Sequence, residues 1–317
     1  MMMRAHVWMT IRAVVIGLSF HVVGSMGKTL PPLLLTAIRF LIAALAMTPL
    51  LRRVPDRWPG FPGLALYCIL GFCQALFFGA MFLVAHRTSA IAMTALYVTV
   101  PFLAYALGLA FRVERQSLQL LGILGLGAGG AFGLAWADSG QGLGGLHLGR
   151  AEGIFLAGCV GLAFYSVLAK WGLSRRWLSQ NTGVRTFWSL AIGALLVGAF
   201  GLLEEAPSKL SALTPRDALL LVYLGLFSTG ATFWLMQRAI AVLSPAEVNA
   251  YSYAPPFVSM LLTFSLEPER VSWRWLPGAA LVLLAIALLL RRGAGALPAN
   301  TEADRYPSLD KEPTRCA

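Results

Sequence analysis

The stretch Ser89 to Arg115 occurs twice in this chain. Shifted by 155 positions, it lands on Ser244 to Arg270 without a gap. Ser89 meets Ser244, Ala95 meets Ala250, Pro101-Phe102 meets Pro256-Phe257, Leu107 meets Leu262 and Glu114-Arg115 meets Glu269-Arg270. The same shift pairs Gln74, Phe78 and Met81 with Thr229, Phe233 and Met236. A second block matches at a shift of 144, where Gly17 to Val23 reads like Gly161 to Val167. The fold must therefore be built from two related halves, each with a proline deep inside an apolar run.

What is duplicated belongs in a bilayer. Of 317 residues, 58% are hydrophobic and 12% charged, with a mean hydropathy of +0.72, too little polar surface to cover a water-soluble globule. The formal charge of +11 would suit nucleic-acid binding in a soluble protein, but here the basic residues stand at the ends of apolar runs, where they set membrane topology. Nucleic acid is not expected as a partner. Cys68, Cys73, Cys159 and Cys316 form no CxxC pair, and the first three lie in apolar runs as packing residues.

Ten runs are long enough to cross hydrocarbon as helices: Trp8 to Met26, Leu33 to Leu51, Phe61 to Ala85, Ser89 to Phe111, Leu118 to Trp136, Gly153 to Leu173, Val184 to Leu203, Ala218 to Leu243, Ala246 to Leu266 and Trp275 to Leu290. A β-barrel would instead alternate in strands of roughly ten residues. The expected fold is all-α and polytopic, with ten transmembrane helices in two five-helix repeats over 8–136 and 150–292 and a disordered tail over 293–317. Five is odd, so the second copy enters from the opposite side and the repeat is inverted. The first run is the weakest. Only fifteen residues separate Arg12 from Lys28, about 22 Å of helix against a core of roughly 30 Å, so Arg12 is expected to snorkel to the surface. A cleaved signal peptide fits less well, because the small-x-small cleavage pattern is missing and the run matches an internal segment.

With the amino terminus in the cytoplasm, fourteen Lys and Arg fall inside and seven outside, a bias that puts both termini on the cytoplasmic side of an inner membrane. Gly122, Gly125, Gly129 and Gly133 form a smooth strip on the fifth span. In lipid such strips let helices approach closely. Packing within the bundle is the first reading, and homodimerisation the second.

An enzyme should show its acids and ligands. Every Asp and Glu lies at a span end, in a loop or in the tail, with Glu247 one residue inside the ninth span. No paired carboxylates could hold Mg²⁺, and His6, His21, His86 and His147 are too scattered for a zinc site. Gly27-Lys28-Thr29 resembles the end of a P-loop but lacks the first glycine, which would stand at Val22, and it follows a span instead of a strand. Neither catalysis nor a cofactor is expected.

What remains is a polar and aromatic lining. Thr94, Tyr97, Pro101 and Tyr105 recur at helical spacing and form one stripe, with Asn249, Ser252 and Pro256 as repeat partners and Tyr253 beside them. Proline at mid-membrane frees a backbone carbonyl, which is tolerated where the backbone faces protein or a wet cavity. Broken helices at corresponding positions of two halves point to a transporter's central site. The plain alternative is that the prolines are kinks and the tyrosines interfacial. Gln74 and Thr229 add polar groups that serve either the site or interhelical contact. Arg39 stands inside the second span, where a charge implies function. It binds an anionic substrate group or neutralises the carbonyl end of a neighbouring helix. His21, titratable near neutral pH, is a candidate proton site whose repeat partner is Tyr165.

These residues carry a resemblance. Ten spans in two halves, a proline in spans 4 and 9 followed by Glu114 and Glu269, and Pro32 seven residues before Arg39 are similar to the EamA-type branch of the drug/metabolite transporter superfamily. The likeness covers Trp8 to Arg292. It implies export or exchange of small metabolites such as amino acids or drugs through a cavity lined by both repeats. The chain departs from the family in having Ile16-Gly17 where Trp-Gly usually stands, and it lacks the glutamate in span 1 that the short multidrug relatives use for proton exchange. The expectation is an inner-membrane secondary transporter for a small molecule. Its rivals are a polytopic membrane enzyme or lipid-handling protein, disfavoured by the carboxylates, and a non-transporting subunit, which would not need two related halves.

The charge bias makes a prediction. On a background without native cysteines, cysteines placed at Asp138 and Lys209 should react with an impermeant thiol reagent added outside intact cells, and those at Arg53 and Arg176 should not. The reverse pattern would mean an inverted orientation.

Overall fold

A bilayer supplies no partners to backbone N–H and C=O groups, so a chain this apolar must satisfy them within each segment, and helices do so. In a computed structural model, which describes residues 2–27, 30–52, 54–55, 57–84, 87, 90–139, 149–270 and 273–295, the regular elements are all helical. In the first half they are α1 (Met2–Gly24), α2 (Pro32–Leu51), α3 (Phe61–Val84), α4 (Ala90–Tyr97), α5 (Val100–Ala110) and α6 (Leu118–Ser139). In the second they are α7 (Arg150–Ser174), α8 (Thr182–Glu204), α9 (Pro215–Tyr223), α10 (Thr232–Val242), α11 (Pro245–Ala250), α12 (Ala254–Leu266) and α13 (Leu276–Gly295). Short 3-10 turns intervene, and a π-helical turn over Leu224–Ala231 joins α9 to α10. Nine stretches among the described residues are long and apolar enough to cross a membrane. The expected ninth span is not among these nine, and it is divided, α11 and α12 meeting at the 3-10 turn Tyr251–Tyr253.

Three expectations are corrected here. The first helix begins at Met2, so Arg12 sits near its centre, and the Arg12 Nε is buried instead of snorkelling. The stripe from Thr94 to Tyr105 is not continuous, because the helix stops at Tyr97 and restarts at Val100. Tyr105 consequently turns to another task, its hydroxyl accepting from the Ser117 N–H at 2.8 Å. Finally, α13 runs on to Gly295, three residues into the expected tail, and the remainder of that tail lies outside the described residues.

Packing follows the repeat. α2 lies along α8 and α6 along α13, each pairing a span with its own counterpart. α3 lies along α7, and its counterpart α1 lies along α10. α1 also crosses α12, as α7 crosses α5. Exchanging the halves maps each pairing onto itself or onto another. α1 reaches the broken ninth span through Gly17, where a Cβ would come within 2.7 Å of the Pro255 carbonyl oxygen.

The glycines of α6 divide by role. A Cβ at Gly130 would meet the Val282 nitrogen at 2.7 Å and the Gly278 oxygen at 2.8 Å, so α6 and α13 touch backbone to backbone. The strip does not make this contact. Gly122, Gly125 and Gly129 face open space, and of its members only Gly133 approaches Gly278, which corrects the reading of the strip as the packing face.

Gly130→Ala should therefore lower stability in detergent by ~1–3 kcal/mol through overpacking. Gly125→Ala, free of contacts, should be neutral or stabilise by up to ~1 kcal/mol through helix propensity. Denaturant unfolding of the two purified variants checks the pair.

Candidate functional site

The two divided spans meet each other at repeat-equivalent residues. In the first half the chain turns at Val98-Thr99, with Pro101 in the first turn of α5. In the second it turns at Tyr251–Tyr253, with Pro255 and Pro256 opening α12. Proline cannot donate to the carbonyl four residues back, so Pro101 leaves Tyr97 without that partner and Pro256 leaves Ser252 without it. Tyr97 and Ser252, which the 155-residue shift pairs, bring their side-chain hydroxyls within interacting reach of each other. Tyr253 donates its hydroxyl to the carbonyl of Val98, its own repeat partner, at 3.0 Å. The Tyr253 ring lies where a Cβ on Gly127 would stand, so α6 holds it in place.

A run of aromatic side chains leads from this crossing. Tyr97 packs on Phe77 with centroids 5.9 Å apart, Phe77 on Phe78 at 5.3 Å, and Phe78 on Phe40 at 5.2 Å. Phe40 also meets Phe233 at 5.9 Å, and Phe233 meets Tyr165 at 6.2 Å. Phe78 and Phe233 are repeat partners, so Phe40 bridges the halves. Arg12 completes the circuit from α1, within electrostatic range of both the Tyr97 and Tyr165 hydroxyls.

Three polar side chains along this circuit each bury an atom that has no partner. Arg39 donates from one Nη to Ser228 Oγ at 3.4 Å and to Thr229 Oγ1 at 3.2 Å, while its Nε has no partner. Both acceptors sit on the π-helical turn, a distortion that recurs at functional sites. Arg12 Nε is also without a partner, and so are both carboxamide atoms of Gln74, which lie against Gly193 and Phe40. A charge at mid-membrane costs on the order of 3 kcal/mol on insertion scales. Arg185 is engaged more fully: its two Nη donate to the carbonyls of Ser179, Gln180 and Gln237 and to Thr182 Oγ1, over 2.7 to 3.3 Å, and only its Nε is without a partner.

At the face of the bundle that carries the start of α1 and the end of α13, polar groups close the gap between α5 and α11. The chain reverses at Arg112, in the left-handed region at φ 58°, and folds Glu114 back over Gly108, where a Cβ would clash with it at 2.8 Å. The Glu114 carboxylate then accepts from the Ala246 N–H at 3.3 Å and from Ser244. Burial raises the Glu114 carboxyl above its ordinary range, against the pull of these hydrogen bonds. Glu247 caps Ser244 and pairs with Arg292 at 3.4 Å, and Arg292 reaches Ser117 at 3.0 Å. His6 bonds the Tyr251 hydroxyl at 2.9 Å nearby. The repeat-related pair at the opposite face, α4 with α12, is not packed in this way among the described residues.

The signature of the EamA-like transporter family matches residues 3–136 and again residues 150–291. The chain belongs to the EamA-like transporter family. It is 27% identical over 278 residues to the uncharacterized inner membrane transporter YedA of Escherichia coli (strain K12), covering 86% of this chain and 87% of that one. It is 25% identical over 287 residues to the uncharacterized transporter YcxC of Bacillus subtilis (strain 168), covering 86% and 88%. A solved crystal structure shares the fold at a TM-score of 0.70 and 20% identity, over 92% of this chain and 98% of the other.

Within this EamA-like bundle the expected site residues separate. Tyr97, Pro101, Ser252, Tyr253 and Pro256 stand at the crossing of the breaks, and Gln74, Thr229 and Arg39 along the aromatic circuit. Thr94 lies one turn before Tyr97 on α4, half-buried. Asn249 is turned to packing, its carboxamide donating to Ser166 Oγ at 2.6 Å and to the Pro245 carbonyl at 2.8 Å, so it ties α11 to α7. His21 bonds Thr263 on α12 at 3.1 Å, and its Nδ1 is buried without a partner. Sequence reasoning missed Arg12, Phe40, Ser228 and Tyr165. Among the described residues no group of three or more His, Cys, Asp or Glu could hold a metal ion.

Tyr253→Phe keeps the ring on Gly127 but leaves the Val98 carbonyl short of a donor. It should lower stability by ~1–3 kcal/mol, the cost of a buried unsatisfied group, measured by denaturant unfolding.

Proposed function

We propose that the chain is a secondary transporter of the inner membrane, with ten spans in two inverted five-helix halves and both termini in the cytoplasm. It exports or exchanges small metabolites by alternating access. The observation that carries this reading is the meeting of the two proline-broken spans at repeat-equivalent residues, Tyr97 with Ser252 and Val98 with Tyr253. Breaks placed this way give each span two stiff halves on a joint, and the joints sit together at the middle of the bundle. The family supports transport, and the relatives named as transporters match along nearly their whole length.

Alternating access needs one face closed while the other is open. The closed face here is the one with the Glu114 contact, where α5 packs on α11. In the opposite state α12 would pack on α4, bringing Glu269, the repeat partner of Glu114, to the other face. With the termini in the cytoplasm, the present state opens outward.

Spin-label pairs test this without a known substrate. Labels at Arg115 and Ala241 report one face and labels at Arg87 and Glu269 the other, all four positions being exposed. Glu114→Gln with Ser244→Ala should lengthen the first distance and shorten the second. Pro101→Ala with Pro256→Ala should suppress that linked change while the protein stays inserted. Lengthening at one face with no response at the other would sink the alternating mechanism.

A further inference from the structure

The central circuit carries two guanidinium groups and no carboxylate. Arg12 has only the Tyr97 and Tyr165 hydroxyls as ionisable neighbours, and no charged group faces Arg39 among the described residues. The Asp and Glu residues stand at helix ends and in loops, and Glu247, the one nearest the interior, is engaged by Arg292 at the closed face. An arginine held for structure has its Nη groups engaged, as Arg185 has by three carbonyls and a hydroxyl, with only its Nε left unpartnered. Arg12, at the centre of its helix and beside the joint of the broken fourth span, instead makes no hydrogen bond to the described residues, and its Nε is buried. A cation whose only ionisable neighbours are hydroxyls lacks its anion.

We propose that this site binds an organic anion, its carboxylate held by Arg12 and its apolar body lying on the rings of Phe77, Phe78 and Phe233. The inference deepens the transporter reading and rests on it for the location of the site. A guanidinium grips a carboxylate with two parallel N–H donors, and a site with low surrounding dielectric strengthens that grip. The same arrangement disfavours amines and zwitterions, because nothing among the described interior residues offers an acid to an ammonium group.

The test uses the purified full-length protein and two matched probe series. The first is 3-phenylpropionate, 3-phenylpropionamide, 3-phenylpropylamine and phenylalanine, and the second is butyrate, butyramide and butylamine. Calorimetric titration and the thermal unfolding midpoint are read for each. The carboxylate of at least one series should bind and raise the midpoint, its amide should bind at least about tenfold more weakly, and the amines and phenylalanine should not compete. Arg12→Gln should weaken carboxylate binding at least about tenfold. Its empty form should unfold no lower than the wild type, whereas Arg185→Gln should unfold several degrees lower. Arg12→Lys keeps the charge without the fork and should bind with intermediate affinity, which secures the test if the Gln variant is not recovered. Carboxylates binding no better than amides, or Arg12→Gln retaining wild-type affinity, overturns the proposal, as does an empty Arg12→Gln that unfolds as low as Arg185→Gln. Preferred binding of an amine or amide also overturns it while the transporter reading stands. Carboxylate binding as expected with no passage into proteoliposomes would leave the anion site in place and remove the transporter reading.

Discussion

A helix in lipid may be interrupted only where something other than lipid completes its backbone, and this bundle meets that condition by setting its two interruptions against each other. The Val98 carbonyl, at the turn between α4 and α5, receives its proton from Tyr253, at the turn between α11 and α12. Around this crossing the other elements find their places. α1 comes close enough to touch the second break because Gly17 has no side chain, and α6 receives the Tyr253 ring at Gly127. Remove the crossing, and two spans carry unsatisfied peptide groups in a medium that cannot hydrate them.

Charge placement obeys the same economy. Arg185 and Glu205 show interior and interfacial charges that are held by hydrogen bonds, Arg185 through both Nη and Glu205 by accepting from the Leu33 and Leu34 N–H groups at 2.8 and 2.9 Å to cap α2. Arg12 and Arg39 show the contrary pattern, a cation with only hydroxyl groups beside it. The difference between the two kinds of arginine is therefore one of unmet demand, and unmet demand inside a membrane is where a ligand has most to add.

Much of the fold was legible because the signals were long. Apolar runs of about twenty residues mark helices from composition alone, and the repeat identified the paired prolines and the residues beside them. The site was less legible for three physical reasons. Helical periodicity assumes an unbroken helix, so the stripe from Thr94 to Tyr105 dissolved where the chain turns at Val98-Thr99. Arg12 was placed at a surface because Lys28 was used to bound the span, while the helix extends the other way to Met2. Asn249 looked like a lining residue by its repeat position, but a carboxamide also satisfies neighbours, and Ser166 with the Pro245 carbonyl uses it up. In the last case tertiary partners, which sequence spacing does not contain, decided the outcome.

The contact between Tyr253 and Val98 has a bearing on ancestry. A duplicated segment is ordinarily free to drift in each copy, yet here one copy's hydroxyl serves the other copy's peptide. The halves are thus not interchangeable parts. Hybrids that splice the first half of one family member onto the second half of another inherit a mismatched joint unless residues 97–98, 127 and 252–253 travel together, so recombination within such a lineage would favour crossovers outside them.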